Sequence, residues 1–302
     1  MDATNIIDTP AVANSSGLLP CADHRSDSRS ERLADLAVAA LIDEVMLTPK
    51  PGLVDLRSRG AHRDMNWALM CHSAWTLHPS FRAMAATGQR DTDPQSLRDR
   101  IGCIGRIAEQ AMMIATGGVN THRGAIWALG LLVTAAAQDG NSLAPASVAA
   151  RAGAIARRQD RFAPVLTGNK GEHACRQYGV GGARAQAQAD FPHVVDIGLP
   201  WLRRSRARGD SESMSRLNAL LAIIAHLDDT CVLARGGEQA LVSMQSGAFR
   251  VLAAGGVGSE SGKAAVRLLE DDLLARHVSP GGAADLLAAT LFLDRLDHGS
   301  VL

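Results

Sequence analysis

The chain has 302 residues, 46% of them hydrophobic and 21% charged, and its 31 basic and 31 acidic side chains leave a formal net charge of zero. This composition and length give a globular protein with a buried core and exclude a nucleic-acid binder that works by neutralising phosphates. No run approaches the roughly 18 apolar residues of a membrane span, and the five scattered cysteines have no metal-knuckle spacing, so reduced thiols in a cytoplasmic protein are expected.

Residues 1–30 are small and polar and lack the apolar core of a signal peptide. A disordered tail is expected there, followed by one helical catalytic domain over 31–302. From Glu31, a stripe of Leu33, Leu36, Ala37, Ala40 and Leu41 predicts a helix, with Glu44 one turn further along the same face. The pattern stops at Thr48-Pro-Lys-Pro-Gly-Leu-Val-Asp55, and Gly60-Ala-His-Arg-Asp64 follows. Pro49 and Pro51 push the residues before them out of the helical region, and Gly52 permits a turn that a side chain would hinder. The result is a stiff segment presenting Lys50, Asp55, His62 and Asp64. It reads as part of an active site; the plainer alternative is a rigid connector with solvated charges.

A second apolar stripe runs from Leu97 through Ile101, Ile104, Ala108 and Met112 to Ala115. It ends at Thr116-Gly-Gly-Val-Asn-Thr-His-Arg-Gly124. Asn120 is a fitting N-cap, and the free N–H groups of the next turn make an anion site to which Thr121, His122 and Arg123 add donors and charge. The Lys-Ser/Thr pair of a Walker loop is missing, and a capped helix after a glycine hinge explains the same residues equally well. Asn169-Lys-Gly-Glu-His173 and Tyr178-Gly-Val-Gly-Gly-Ala-Arg184 form a glycine-rich stretch ending at Arg184, a weak phosphate cradle. His193-Val-Val-Asp-Ile197 is the one segment that fits a strand, and it fits a helix start equally.

A third stripe, Leu217, Leu221 and Ile224, continues in register to Asp228. A carboxylate on a core-facing line is expensive unless paired or bound to a cation. Asp228 and Asp229, followed by Arg235-Gly236-Gly237, therefore suggest a Mg²⁺ and phosphate corner. Ser279 as N-cap and Pro280 at the first helical position open the last helix, whose apolar run is interrupted by Asp285. Glu44, Asp228, Asp229 and Asp285 together point to a shared polar cavity rather than unrelated salt bridges. With aromatics at 3% and 29 glycines gathered at helix junctions, the fold expected is all-α, a compact multi-helix array.

In order along the chain, these blocks resemble the triphosphoribosyl-dephospho-CoA synthase family, which makes the prosthetic-group precursor of citrate lyase or malonate decarboxylase. The matching pieces are Glu44 through Asp55, Gly60 through Met65, Gly118 through Ile126, Tyr178 through Ala189 with Phe191-Pro192, Asp229-Thr with Arg235-Gly-Gly237, and Ser279 through Leu287. The closing run Ala284 to Leu296 is most similar to the malonate decarboxylase branch. Cys231, Ala234, Ala185-Gln186 and Asp190 depart from the family pattern, which has asparagine at the first of these and glycine at the last.

The resemblance implies transfer of the triphosphoribosyl group of ATP to the 2′-hydroxyl of 3′-dephospho-CoA, with release of adenine. It implies phosphate and substrate contacts from Lys50, His62, Asn120, Thr121, His122, Arg123, Arg184, Arg235, Gly236 and Gly237. It further implies Mg²⁺ on Asp228 and Asp229, and a general base among Glu44, Asp55 and Asp64. A downstream carrier-protein transferase is the expected partner, a homodimer is compatible, and neither nucleic acid nor membrane is involved. Two rival readings are a helical Mg²⁺-dependent N-glycosidase acting on ADP-ribose-like nucleotides and a non-catalytic helical partner of a decarboxylase complex.

Overall fold

The computed structural model describes residues 24–164 and 168–298. It is all-α, and no strand occurs among the described residues. The expected tail over 1–23 lies outside them, while residues 24–30, expected to be unstructured, already belong to the first helix. The helices are α1 His24–Met46, α2 Trp67–Thr76, α3 His78–Arg90, α4 Pro94–Ala115, α5 Arg123–Gln138, α6 Pro145–Ala156 and α7 Lys170–Tyr178. They continue as α8 Gly182–Gln188, α9 Leu199–Ala207, α10 Glu212–His226, α11 Thr230–Ala253, α12 Glu260–Ala275 and α13 Gly281–His298. The segment that fitted a strand, His193–Gly198, is a short π-helix leading into α9; Pro200 at the start of α9 keeps this run helical.

The central helices are α5, α10 and α13. Nearly every α5 residue from Ala125 to Ala137 is buried, as are Leu286 to Leu296 of α13 and Leu217 to Ile224 of α10. A helix apolar on most faces must be wrapped on most faces. Accordingly α13 packs against α1, α5 and α10, while α3 closes over α1 and α5, and α11 over α10. The small residues of α5 allow close approach: a β-carbon at Gly130 would lie 2.7 Å from the Met84 sulfur.

Two chain-end expectations change here. The α10 helix ends at His226, and Leu227 is extended with φ −87° and ψ 130°, so Asp228 leaves the apolar line and is exposed. Ser279 does not cap α13: its buried hydroxyl has no partner, and the helix begins at Gly281. The cap comes from elsewhere in the chain, as the next section describes.

Candidate active site

The loop after α1 turns its lysine inward. Lys50 is 2% exposed, and its Nζ donates to the Glu44 backbone oxygen at 2.6 Å and to Glu44 Oε1 at 2.5 Å. Glu44 is 3% exposed. The lysine therefore closes the C-terminal end of α1 and neutralises a buried carboxylate, a favourable position for a cation at a helix C-terminus. With two of its three N–H donors committed inside the fold, Lys50 is not presented to solvent as a free cation for phosphate.

Asp55 holds that loop in shape. It is fully buried and accepts from the Thr48 hydroxyl (2.9 Å), the Lys50 N–H (3.1 Å), the Arg57 N–H and Nε (2.8 and 3.0 Å) and the Ser58 N–H (2.9 Å). Burial pushes its carboxyl up, but these donors outweigh burial and leave it below the usual carboxylate range. A carboxylate so fully engaged has no lone pair left for a substrate hydroxyl, so Asp55 is a clasp rather than a base. Gly52, at φ +69°, makes the turn; a β-carbon there would meet the Val278 carbonyl at 2.9 Å, so this loop packs directly on the connection leading to α13.

His62 and Asp64 lie at the loop's outer edge. Asp64 is exposed and 3.6 Å from His62 Nδ1. Burial and the nearby Arg235 guanidinium hold His62 below its ordinary value, against the pull of Asp64. At neutral pH His62 is a neutral hydrogen-bonding group, not a phosphate-binding cation.

The Asn-Thr-His block opens α5. Asn120 caps from two positions further out than the N-cap residue His122, its Oδ1 accepting the Arg123 N–H at 3.2 Å. His122 is the residue flanking the helix and is 3% exposed. Its Nδ1 is 2.9 Å from the Ser73 hydroxyl, which also meets the Thr121 hydroxyl at 2.6 Å, while its Nε2 is buried without a partner. Burial and the Lys50 charge push the imidazole down to about 3, so it is neutral. Arg123 is paired with Glu109 at 3.0 Å. Neither His122 nor Arg123 is a free cation. Ser73 lies among tryptophans and methionines on α2, and nothing in that stretch signals its role.

Asp229 joins two helices. It is 1% exposed; Oδ1 accepts the Cys231 N–H at 2.8 Å in the first turn of α11, and Oδ2 accepts the Ala283 N–H at 2.9 Å in the first turn of α13. Burial pushes its carboxyl up against these bonds. A β-carbon on Gly282 would sit 3.1 Å from Oδ2. With both oxygens engaged and Asp228 exposed beside it, the pair does not fit a protein-held Mg²⁺. Among the described residues, the trio of ligand atoms close enough for one ion is Glu31, Asp35 and His78, on the exposed start of α1 and α3.

Asp285, on α13, completes the set. It accepts the Ala125 N–H of α5, and burial beside Glu44 and Asp229 pushes its carboxyl well above the ordinary value. Its Oδ2 lies 2.0 Å from where a β-carbon on Gly124 would be, so only glycine admits it. Cys231 lies between Asp229, Asp285 and Arg235; burial and the two carboxylates push its thiol up. Arg235 is exposed, with no ion pair among the described residues, and the α11 backbone breaks just beyond it at Gly237 (φ 68°, ψ −168°). Tyr178 Oη would lie 3.5 Å from a β-carbon there. Gly236 is held close to Val278.

Glu44, Lys50, His122, Asp229, Asp285, Arg235 and His62 are thus linked by contact or by charge at the end of the bundle where α5, α11 and α13 begin. Arg184 is exposed on α8, and its charged neighbour is Arg98 of α4, which stacks on Trp127 at 5.4 Å. Asp190 takes φ 64° and pairs with Arg157 at 2.8 Å. Aspartate tolerates that left-handed conformation better than most residues.

Residues 30–302 match the model of the ATP:dephospho-CoA triphosphoribosyl transferase family. The chain belongs to that family. It is 54% identical over 271 residues to a 2-(5''-triphosphoribosyl)-3'-dephosphocoenzyme-A synthase of Klebsiella pneumoniae, covering 90% of this chain and 96% of that protein. Proteins named probable synthases of the same kind are similarly related. One from Pseudomonas syringae pv. syringae is 57% identical over 272 residues, and one from Azotobacter vinelandii 55% over 271, each covering 89% of this chain and 93% of the relative. No solved structure matches the chain. Family membership makes it an enzyme, a pentosyltransferase.

Proposed function

We propose that this pentosyltransferase joins C1 of the ATP ribose to the 2′-hydroxyl of 3′-dephospho-CoA and releases adenine, the product serving as prosthetic-group precursor for malonate decarboxylase. The observation that carries the reading is the meeting of two buried carboxylates, Glu44 and Asp229, and a half-buried one, Asp285, with the N-termini of α5, α11 and α13. An oxocarbenium-like sugar is stabilised by carboxylates near it. A triphosphate is held by helix N-termini and an unpaired guanidinium, here Arg235. Magnesium is expected to arrive on the triphosphate, and Asp228 is the exposed carboxylate closest in sequence to that rim. The free cysteines suit a reducing cytoplasm. The malonate decarboxylase assignment rests on the run from Ala284 to Leu296.

Incubation of the protein with ATP, dephospho-CoA and Mg²⁺, followed by adenine release and the mass of the CoA species, tests the reading. Adenine in step with a triphosphoribosyl adduct is the expected result. Adenine without the adduct would make the enzyme a hydrolase. Feeding the adduct and a downstream carrier-protein transferase to the carrier subunits of both enzymes tests the branch, with the malonate decarboxylase carrier the one expected to gain mass.

A further inference from the structure

Of the three carboxylates at this site, two are already committed. Glu44 is bonded to Lys50, and Asp229 gives one oxygen to each of two helix starts. Asp285 has no ion pair among the described residues, accepts a backbone hydrogen bond from Ala125, and is the least enclosed of the three. Gly124 leaves room for its Oδ2. A separate sign of a ligand lies at the same helix start: His122 is 3% exposed and fixed through Nδ1 to Ser73, yet its buried Nε2 meets no partner. Native folds rarely leave such an atom unsatisfied unless something binds there.

We propose that Asp285 is the general acid that protonates the departing adenine. The inference rests on the transferase reading above. As the C1–N9 bond breaks, its electron pair passes to the purine, which takes the Asp285 proton and leaves as neutral adenine. C1 bonds to the acceptor's 2′-oxygen, and the proton lost from that hydroxyl returns to Asp285 through water, so the residue ends the cycle as it began. Its neighbours favour the protonated form: Glu44 and Asp229 face it from α1 and from the start of α11, with Lys50 already committed to Glu44. A carboxyl kept neutral by an apolar, anionic setting is a suitable proton donor.

The test compares wild type with Asp285→Asn on two donors, ATP and 7-methyladenosine triphosphate, whose purine is already cationic and leaves without a proton. On ATP the variant is expected to lose at least about a hundredfold in kcat, within the usual range for general acid catalysis. On the methylated donor, variant and wild type should agree within a few-fold, and Asp285→Glu should restore part of the ATP rate. Equal loss on both donors, with an unchanged melting temperature, would make Asp285 a positioning residue and overturn the proposal, as would full activity on ATP. A wild-type enzyme that releases no adenine would instead overturn the transferase reading itself.

Discussion

Lys50 and Glu44 are a pair whose value lies in not being separated. Each is nearly free of solvent, and the lysine has a second bond to the backbone at the end of α1. Lys50→Met leaves a lone carboxylate in the interior, which costs about 3–5 kcal/mol in comparable pairs. Chemical denaturation should show that loss, and Lys50→Met combined with Glu44→Gln should recover most of it. A Lys50→Met variant as stable as wild type would mean the lysine is free for substrate after all. The sequence placed Lys50 in this site through its two flanking prolines. It did not reveal the lysine's direction, because proline fixes a backbone angle while the choice between core and solvent depends on a carboxylate six residues back, in the last turn of α1. Asp55 poses a related difficulty: a base and a loop clasp are the same residue until the N–H groups aimed at it are known.

At the level of elements, the site is built from helix beginnings, and their caps come from distant parts of the chain. Asp229 serves both α11 and α13, and Asp285 serves α5. An N-cap contributes about 1 kcal/mol, so Asp229→Ala should cost about 2 kcal/mol or more in the denaturation midpoint; Asp229→Asn, which keeps one acceptor oxygen, should cost less. Equal loss in the two variants would refute the double cap. The α helices themselves were legible from their 3.6-residue stripes, and so was the near-complete burial of α13. The exit from α10 was not: Asp228 continues the apolar register on paper, but Leu227 turns extended so that Asp229 can cap the next helix. Ser279 has the composition of a cap, yet the Asp229 carboxylate takes that place from across the fold.

Over the whole molecule, two buried groups set opposite limits on stability with pH. His122 is held down to about 3 from an ordinary 6.5, so its contribution is complete above pH 6.5 and is lost as pH falls toward 3. Asp285 is raised in the folded state; its contribution is complete below the ordinary carboxyl value and declines as pH rises toward the raised one. Stability should therefore decline on both sides of an intermediate pH. Urea midpoints across pH 4 to 8 should show His122→Gln flattening the acid side and Asp285→Asn the other. A His122→Gln profile parallel to wild type would remove the histidine from this account.

The carboxylate that joins the starts of α11 and α13 also bears on how the protein is made. Its second partner, Ala283, and the acid at 285 follow every other member of the site along the chain. While the ribosome is still adding α12, Asp229 has one helix to cap, Glu44 has its lysine, and Ala125 has no acceptor. Catalytic competence therefore waits for α13 to dock, and a truncated product ending before Gly281 would be inert toward the nucleotide pools around it.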